Sequence, residues 1–301
     1  MAEPPPVLAV FGAAGQLGRA LVEAGPPPGW RLAGFDRAAA DITDRAAVKR
    51  ALAGIGAGAV INAAAFTAVD RAEAEPDAAF AVNRDGAAII AEAAATAGLA
   101  LIHVSTDYVF DGTKTSPYGE DDATNPLSVY GASKLAGEQA VRAAGPRHLI
   151  LRTAWVFSPF GGNFVRTMVR LAAERDLVRV VNDQLGGPTS AEALALAVVA
   201  VAPRLLGAPS GDSAFGTFHC CGDPPLTWHD FAAAIFERLG RAGVKVPALA
   251  AITSAEYPVA ARRPAYSVLS GEKLAAVHGV TPPAWGPGLD RCLSRLLKEK
   301  A

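Results

Sequence analysis

The feature that most constrains the fold of this chain is a glycine-rich turn set between an apolar run and a helix. Val7-Leu8-Ala9-Val10-Phe11 enters Gly12-Ala13-Ala14-Gly15-Gln16-Leu17-Gly18, and Arg19 to Ala24 continues with helical patterning. A strand that ends in such a turn and feeds a helix aims free backbone N–H groups and the positive end of the helix dipole at one point. That arrangement suits a diphosphate. The bare G-x-x-G-x-x-G spacing also fits an ordinary turn with close strand–helix packing. Its place in the first β-α unit favours the nucleotide reading.

The chain then alternates. Arg31 to Phe35 reads as a second strand, followed by Asp36 where a dinucleotide fold presents an acid to the adenosine ribose. The acid favours NADH, whereas Arg37 next to it could grip the 2′-phosphate of NADPH, so the pair predicts mixed cofactor choice; a solvated loop pair is the plainer alternative. Asp41 and Ile42 could flank the adenine, with Asp41 equally suited to cap the helix holding Ala46 to Leu52. Ala59 to Asn62 forms a third strand, and the small residues of Ala63-Ala64-Ala65-Phe66-Thr67 leave room for a flat cofactor against the backbone. Pro76 marks a break before a helix from about Asp77 to Ala97, inside which Asn83 reads as a hydrogen-bonded core amide.

A β-branched run, Leu101 to Val104, ends in Ser105-Thr106-Asp107-Tyr108, as a buried strand does where it opens onto a ligand crevice. Tyr130 and Lys134, four apart, share one helix face. Between them lies Asp111 to Leu127, rich in Gly, Pro, Asp and Thr, with the length of a functional lid. His148 to Thr153 is the next strand. The alternation specifies an α/β fold, a Rossmann-type doubly wound parallel sheet with ligand at the strands' carboxyl ends. We read residues 1–155 as the nucleotide-binding domain and 156–301 as a smaller substrate-binding region partly interleaved with it. There, Trp155-Val156-Phe157, Gly161 to Phe164, Asn182 to Thr189 and Arg262-Arg263-Pro264 are loop-like islands suited to a base, a sugar and a diphosphate. Trp155 could equally be core packing and Arg263 a surface pair.

Composition narrows the class. Among 301 residues, 28 Lys and Arg nearly balance 29 Asp and Glu, so no net field recruits nucleic acid or an anionic membrane. The first residues carry no basic signal region and no apolar stretch spans a bilayer, which predicts a cytoplasmic protein. Cys220, Cys221 and Cys292 have neither disulfide nor metal-site spacing and read as buried apolar fillers; the five histidines likewise lack ligand spacing.

The glycine loop with Tyr130-x-x-x-Lys134 resembles an extended short-chain dehydrogenase/reductase. The finer resemblance, from about Val7 to Leu297, is to the dTDP-4-dehydrorhamnose reductase family. It rests on Val60 to Ala65, Thr67 to Asp70, Ser105 to Phe110, Val129 to Glu138, Arg152 to Val156, Asn182-Asp183-Gln184 and Pro188-Thr189. The resemblance implies NADPH or NADH on Gly12, Gly15, Gln16, Leu17, Gly18, Asp36 and the Ala63-Ala64-Ala65 turn, with Lys134 on the nicotinamide ribose. It turns Thr106, Tyr130 and Trp155 to the sugar, and Thr67, Asp107, Tyr108 and Asn163 complete the expected substrate set. Some members bridge a dimer with magnesium through glutamates, one of them on the first helix where this chain has Ala20; Glu192 remains in place, but no third acid precedes Glu299 on the last helix. We therefore expect a monomer or a metal-free homodimer.

The implied reaction reduces the C4 ketone of dTDP-4-dehydro-L-rhamnose, in the dTDP-rhamnose pathway. Tyr130 is the expected proton donor, Thr106 its partner on the ketone oxygen, and Lys134 is expected to favour the phenolate. Related dehydratases carry a second acid after the strand threonine and its acid. This chain has Tyr108 there, which favours reduction over elimination. Two other readings are reduction of another dTDP-4-keto-6-deoxysugar and a non-catalytic regulatory role, like that of the methionine adenosyltransferase β subunit.

Overall fold

The computed structural model describes residues 4–299. The first half runs β1 (Val7–Phe11), α1 (Gln16–Ala24), β2 (Arg31–Phe35), α2 (Arg45–Leu52), β3 (Ala57–Asn62), α3 (Val69–Ala74), α4 (Pro76–Phe80), α5 (Ala87–Thr96), β4 (Ala100–Thr106), α6 (Val129–Ala144) and β5 (His148–Thr153). It continues with β6 (Val156–Phe157), α7 (Phe164–Glu174), β7 (Leu177–Val181), β8 (Leu185–Gly186), β9 (Thr189–Ser190), α8 (Ala191–Gly207), β10 (Gly216–His219), β11 (Leu226–Thr227), α9 (Trp228–Arg241), β12 (Ala248–Ile252), α10 (Glu272–His278) and α11 (Trp285–Lys298).

Six strands form one parallel sheet in the order β10-β5-β4-β3-β1-β2. Strands in such a sheet are buried on both faces, and their near-continuous apolar runs follow from that. Leu8, Val10, Ile61, Ile102, Leu149 and Leu151 meet α1 and α8 on one face. Ala9, Phe11, Val60, Leu101 and Ile150 meet α2, α5 and α6 on the other. The chain after Trp155 thus returns to the sheet, supplying α8 to cover it and β10 to extend it. A separate apolar cluster joins α7, α9, α11 and β7. Cys220, Cys221 and Cys292 are free and buried among apolar side chains.

Local chemistry sets the helix ends. Asp44, not Asp41, caps α2: its carboxylate accepts from the N–H groups of Ala46 and Ala47. Asp41 instead bonds Thr43 and Arg37. Pro76 occupies the first turn of α4, where a missing N–H costs nothing. The helix expected over 77–97 is two α-segments joined by a π-turn at Ala81–Gly86. In that turn the Asn83 carbonyl presses so close to Gly137 of α6 that no Cβ would fit there. The π-turn and α6 touch backbone to backbone at that point.

Candidate active site

A cleft of about 620 Å³ opens at the carboxyl ends of β1, β3 and β4, within the size range of small-molecule sites. Gly12, Gly15, Gln16 and Leu17 form its floor. Gly12 has φ +83°, and a Cβ there would lie 2.6 Å from the Ala64 nitrogen, so only glycine brings the turn against the Ala63-Ala64-Ala65 segment. Gly18 is absent from the lining; it packs α1 on the Gly12 carbonyl. Asp36, Arg37, Asp41 and Ile42 line the end beyond β2, and Ala63, Ala64, Ala65 and Thr67 the wall beyond β3. The Asp36 carboxylate accepts from the Ala39 N–H at 2.8 Å. Arg37 is 89% exposed and donates to Asp41 at 3.0 Å. Bonds from Thr43, chiefly its backbone N–H, hold the Asp41 carboxyl below the usual range.

Several lining residues lie outside the expected site set. Phe66 and Arg71 join the wall, the guanidinium lying 4.7 Å from the ring centroid. Thr153, Val156, Gly161 and Gly162 approach from the far side. The loop bearing the two glycines is tied to the glycine turn through Gln16, whose Oε1 accepts from Ser158 Oγ at 2.8 Å and Asn163 Nδ2 at 2.9 Å. Asn163, expected on the sugar, also donates to the Ser158 and Phe160 carbonyls and caps α7 through the Arg166 N–H. Its amide anchors the loop. An Asn before a helical run is a cap signal from which this role is readable.

Thr106, Tyr130 and Lys134 converge beside the cleft. Strand β4 ends at Thr106, whose hydroxyl donates to Asp107 at 3.0 Å and accepts from the Tyr108 N–H at 3.2 Å. The same hydroxyl faces the Tyr130 phenol. Helix α6, capped by Ser128 on the Gly131 N–H, presents Tyr130 and Lys134 from its first turns. Lys134, 2% exposed, donates to the Val104 carbonyl at 2.7 Å. Tyr108 meets Tyr130 edge to face at 5.5 Å.

Burial dominates the electrostatics. It pushes the Tyr130 phenol up to about 12, partly opposed by Thr106 and helped by Asp107. It pulls Lys134 down to about 8 against the attraction of Glu138. Burial also lifts Asp107 to about 6. The direction of the Tyr130 shift is set by the loss of water around the ring, and Lys134 is not among the groups that move it. A phenol that keeps its proton at neutral pH is a donor.

Trp155, expected on the sugar, is absent from the cleft lining; it has φ +47°, a rare conformation for an aromatic residue, and its indole lies flat on Trp228 with centroids 3.5 Å apart. Gly186 makes room for it: a Cβ there would fall 2.5 Å from the indole. Arg263 pairs with Asp70 at 2.7 Å, and the Ala261 N–H donates to the same carboxylate, so the loop before β-bridged Tyr266 is tied to the segment after β3. Asp183 and Gln184 bond Ser254.

The residues at the face where relatives are expected to hold magnesium do not fit that ion. Glu192 is bonded to Arg291 at 2.8 Å and Glu23 to Arg295 at 2.7 Å, while Ala20 is buried. Two guanidinium groups already occupy the carboxylates, and their charge repels a cation. Among the described residues no helix is long and apolar enough to cross a membrane.

Residues 7–298 match the family described as the RmlD substrate binding domain. A dTDP-4-dehydrorhamnose reductase of Sinorhizobium fredii is 45% identical over 97% of this chain and 98% of its own length. Among solved structures, a dTDP-4-dehydrorhamnose reductase from Clostridium acetobutylicum is 37% identical, with a TM-score of 0.88 over 97% of this chain and 99% of that one. The Bacillus anthracis enzyme of the same name, in complex with NADP, is 34% identical with the same TM-score and coverage.

Proposed function

Since the chain belongs to the dTDP-4-dehydrorhamnose reductase family, we propose that it reduces the C4 ketone of dTDP-4-dehydro-L-rhamnose to dTDP-L-rhamnose with NADPH or NADH. The observation that carries the reading is the convergence of the Tyr130 phenol, which burial favours in its protonated form, the Thr106 hydroxyl and the buried Lys134 side chain at the rim of the glycine-floored cleft.

A reduced nicotinamide bound in that cleft supplies the hydride. As charge grows on the C4 oxygen, Tyr130 gives it the phenolic proton and Thr106 turns its one hydroxyl proton from Asp107 to that oxygen as a second hydrogen bond, a division of labour that lowers the barrier to alkoxide formation. Lys134 spends one N–H on Val104 and keeps two for ribose hydroxyls, through which Tyr130 regains its proton. The absence of a second carboxyl group after Asp107 leaves no base for elimination. Asp36 suits a free 2′-hydroxyl and the exposed Arg37 a 2′-phosphate, which supports use of either cofactor. With no cation site at the Glu192 face, the protein acts as a monomer or a metal-free homodimer.

The test is direct: purified protein with dTDP-4-dehydrorhamnose should oxidise NADPH or NADH and yield the L-rhamno product. No oxidation with either cofactor would sink the proposal, and a product of different C4 stereochemistry would reassign the sugar.

A further inference from the structure

Two segments far apart in the chain meet at a point that the proposed reaction does not itself use. Asp70 Oδ2 accepts from Arg263 Nη2 at 2.7 Å and Asp70 Oδ1 from Arg263 Nη1 at 3.2 Å, so the guanidinium grips the carboxylate as a fork. The same Oδ1 accepts from the Ala261 N–H at 3.0 Å, and Arg263 Nη1 also donates to the Ala261 carbonyl at 3.3 Å. This knot closes one end of a strap. Just beyond it, a Cβ on Gly112 would lie 2.7 Å from Pro264 and 2.8 Å from the Ala265 nitrogen, so the strap presses on the chain that leaves Thr106. The Ala265 carbonyl accepts from the Leu185 N–H, the Ser267 N–H donates to the Leu185 carbonyl, and the Val268 carbonyl accepts from the Tyr118 N–H, each at 2.8 Å. Residues 261–268 thus run from the segment after β3, past the end of β4, to the loop that follows it.

Helix α3 sets where that strap begins. Asp70 stands in its first turn, and Glu73 Oε1 on the same helix accepts from the Val129 N–H at 2.8 Å, one residue before Tyr130. Ala72 of α3 and Phe66 before it share an apolar cluster with Val129 and Tyr130. Six residues of helix therefore hold the start of the catalytic helix on one side and the strap on the other. Side chains that are 45% and 22% exposed, as Asp70 and Arg263 are, gain little stability from pairing. What the fork supplies is direction, because a planar guanidinium on both oxygens of one carboxylate fixes how the two segments lie. Neither side chain lines the cleft, so the pair acts through the strap and not on a bound cofactor.

We infer that Asp70 and Arg263 are positioning residues for the reduction: their forked pair fixes the strap relative to Tyr130 and so shapes the opening through which the sugar reaches the phenol. The inference rests on Tyr130 being the proton donor of the proposed reaction.

The experiment is a double-mutant cycle of Asp70→Asn and Arg263→Gln in the full chain. Arg238→Gln, which breaks the pair to Asp290 between α9 and α11, is the control. Each single change should raise KM for the sugar nucleotide about tenfold, with kcat and NADPH affinity within about twofold of wild type. The double variant should be no worse than either single one, because the same tie is lost only once. Unchanged KM in folded Asp70→Asn overturns the inference. So does a rise confined to Arg263→Gln, which would put that guanidinium on the substrate itself, and so do additive effects. Should Arg263→Gln not fold, Arg263→Lys, which keeps the charge and loses the fork, takes its place in the cycle with the same outcomes. A second readout needs no sugar. Trypsin cuts after exposed Arg262, and Asp70→Asn should speed that cut about tenfold while Arg238→Gln leaves it unchanged. Equal cleavage rates in wild type and Asp70→Asn overturn the inference. A wild type that reduces no ketone would fail the proposed function, while the cleavage rates still test the strap.

Discussion

Truncating Asn83 to alanine tests how the cofactor wall is held to the catalytic helix. Asn83 is 1% exposed in the π-turn between α4 and α5. Its Oδ1 accepts from the Phe66 N–H at 2.8 Å, and its Nδ2 donates to the Phe66 carbonyl at 3.1 Å and to Ser133 Oγ at 3.0 Å. Asn83→Ala leaves both backbone groups of Phe66 without partners. Ser133 keeps its bond to the Tyr130 carbonyl and loses little. Each orphaned group costs about 1–3 kcal/mol, and with some relief from entering water the net loss is about 2–4 kcal/mol. At about 2 °C per kcal/mol for a chain of this size, the unfolding midpoint should drop by about 4–8 °C. Phe66 belongs to the cleft wall, so loosening it should raise KM for NAD(P)H more than it lowers kcat. Thermal unfolding and steady-state kinetics with varied cofactor give both readouts. An unchanged midpoint with unchanged KM would show that the amide holds nothing.

Tyr130→Phe should lower kcat by about 10²–10⁴-fold while NAD(P)H affinity stays near wild type; wild-type turnover would remove the phenol from the reaction. Burial raises Asp107 from 3.8 to about 6, so its contribution to stability is complete below the lower value and is lost as pH rises through the higher one. Asp107→Asn, neutral throughout, should therefore gain on the wild type across that window, by at most about 1.4 kcal/mol per pH unit; denaturant melts giving a constant difference would contradict this. Chelator treatment should leave activity and solution mass unchanged, because arginines occupy Glu23 and Glu192; dissociation measured by light scattering on chelation would show that a bound ion bridges copies.

The parts of the molecule legible in the sequence are those written in neighbouring residues. The strand, glycine turn and helix at Val7 to Ala24 announce themselves locally, as do the β4 run into Thr106 and the four-residue spacing of Tyr130 and Lys134. What stayed hidden depends on residues far apart in the chain. The Asp70–Arg263 pair joins positions 193 apart, and the tie from Gln16 to Ser158 in the loop before Gly161 spans 142. The π-turn at Asn83 packs on Gly137 of another helix. The Tyr130 phenol shows the same limit in its chemistry: a lysine four residues away is visible in sequence, whereas the loss of water that raises the phenol further is made by the whole fold.

The return of the chain to extend the sheet with β10 has a consequence for synthesis. When β5 leaves the ribosome, its outer edge has no partner and the apolar face bearing Leu149 and Leu151 has no α8 to cover it. Unpaired edges next to exposed apolar surface invite association with other chains. The nucleotide-binding half thus cannot finish folding as it emerges, and the nascent chain stays vulnerable until residues 216–219 have been added. Products that terminate just past β5 should accumulate as aggregates rather than as a trimmed cofactor-binding domain.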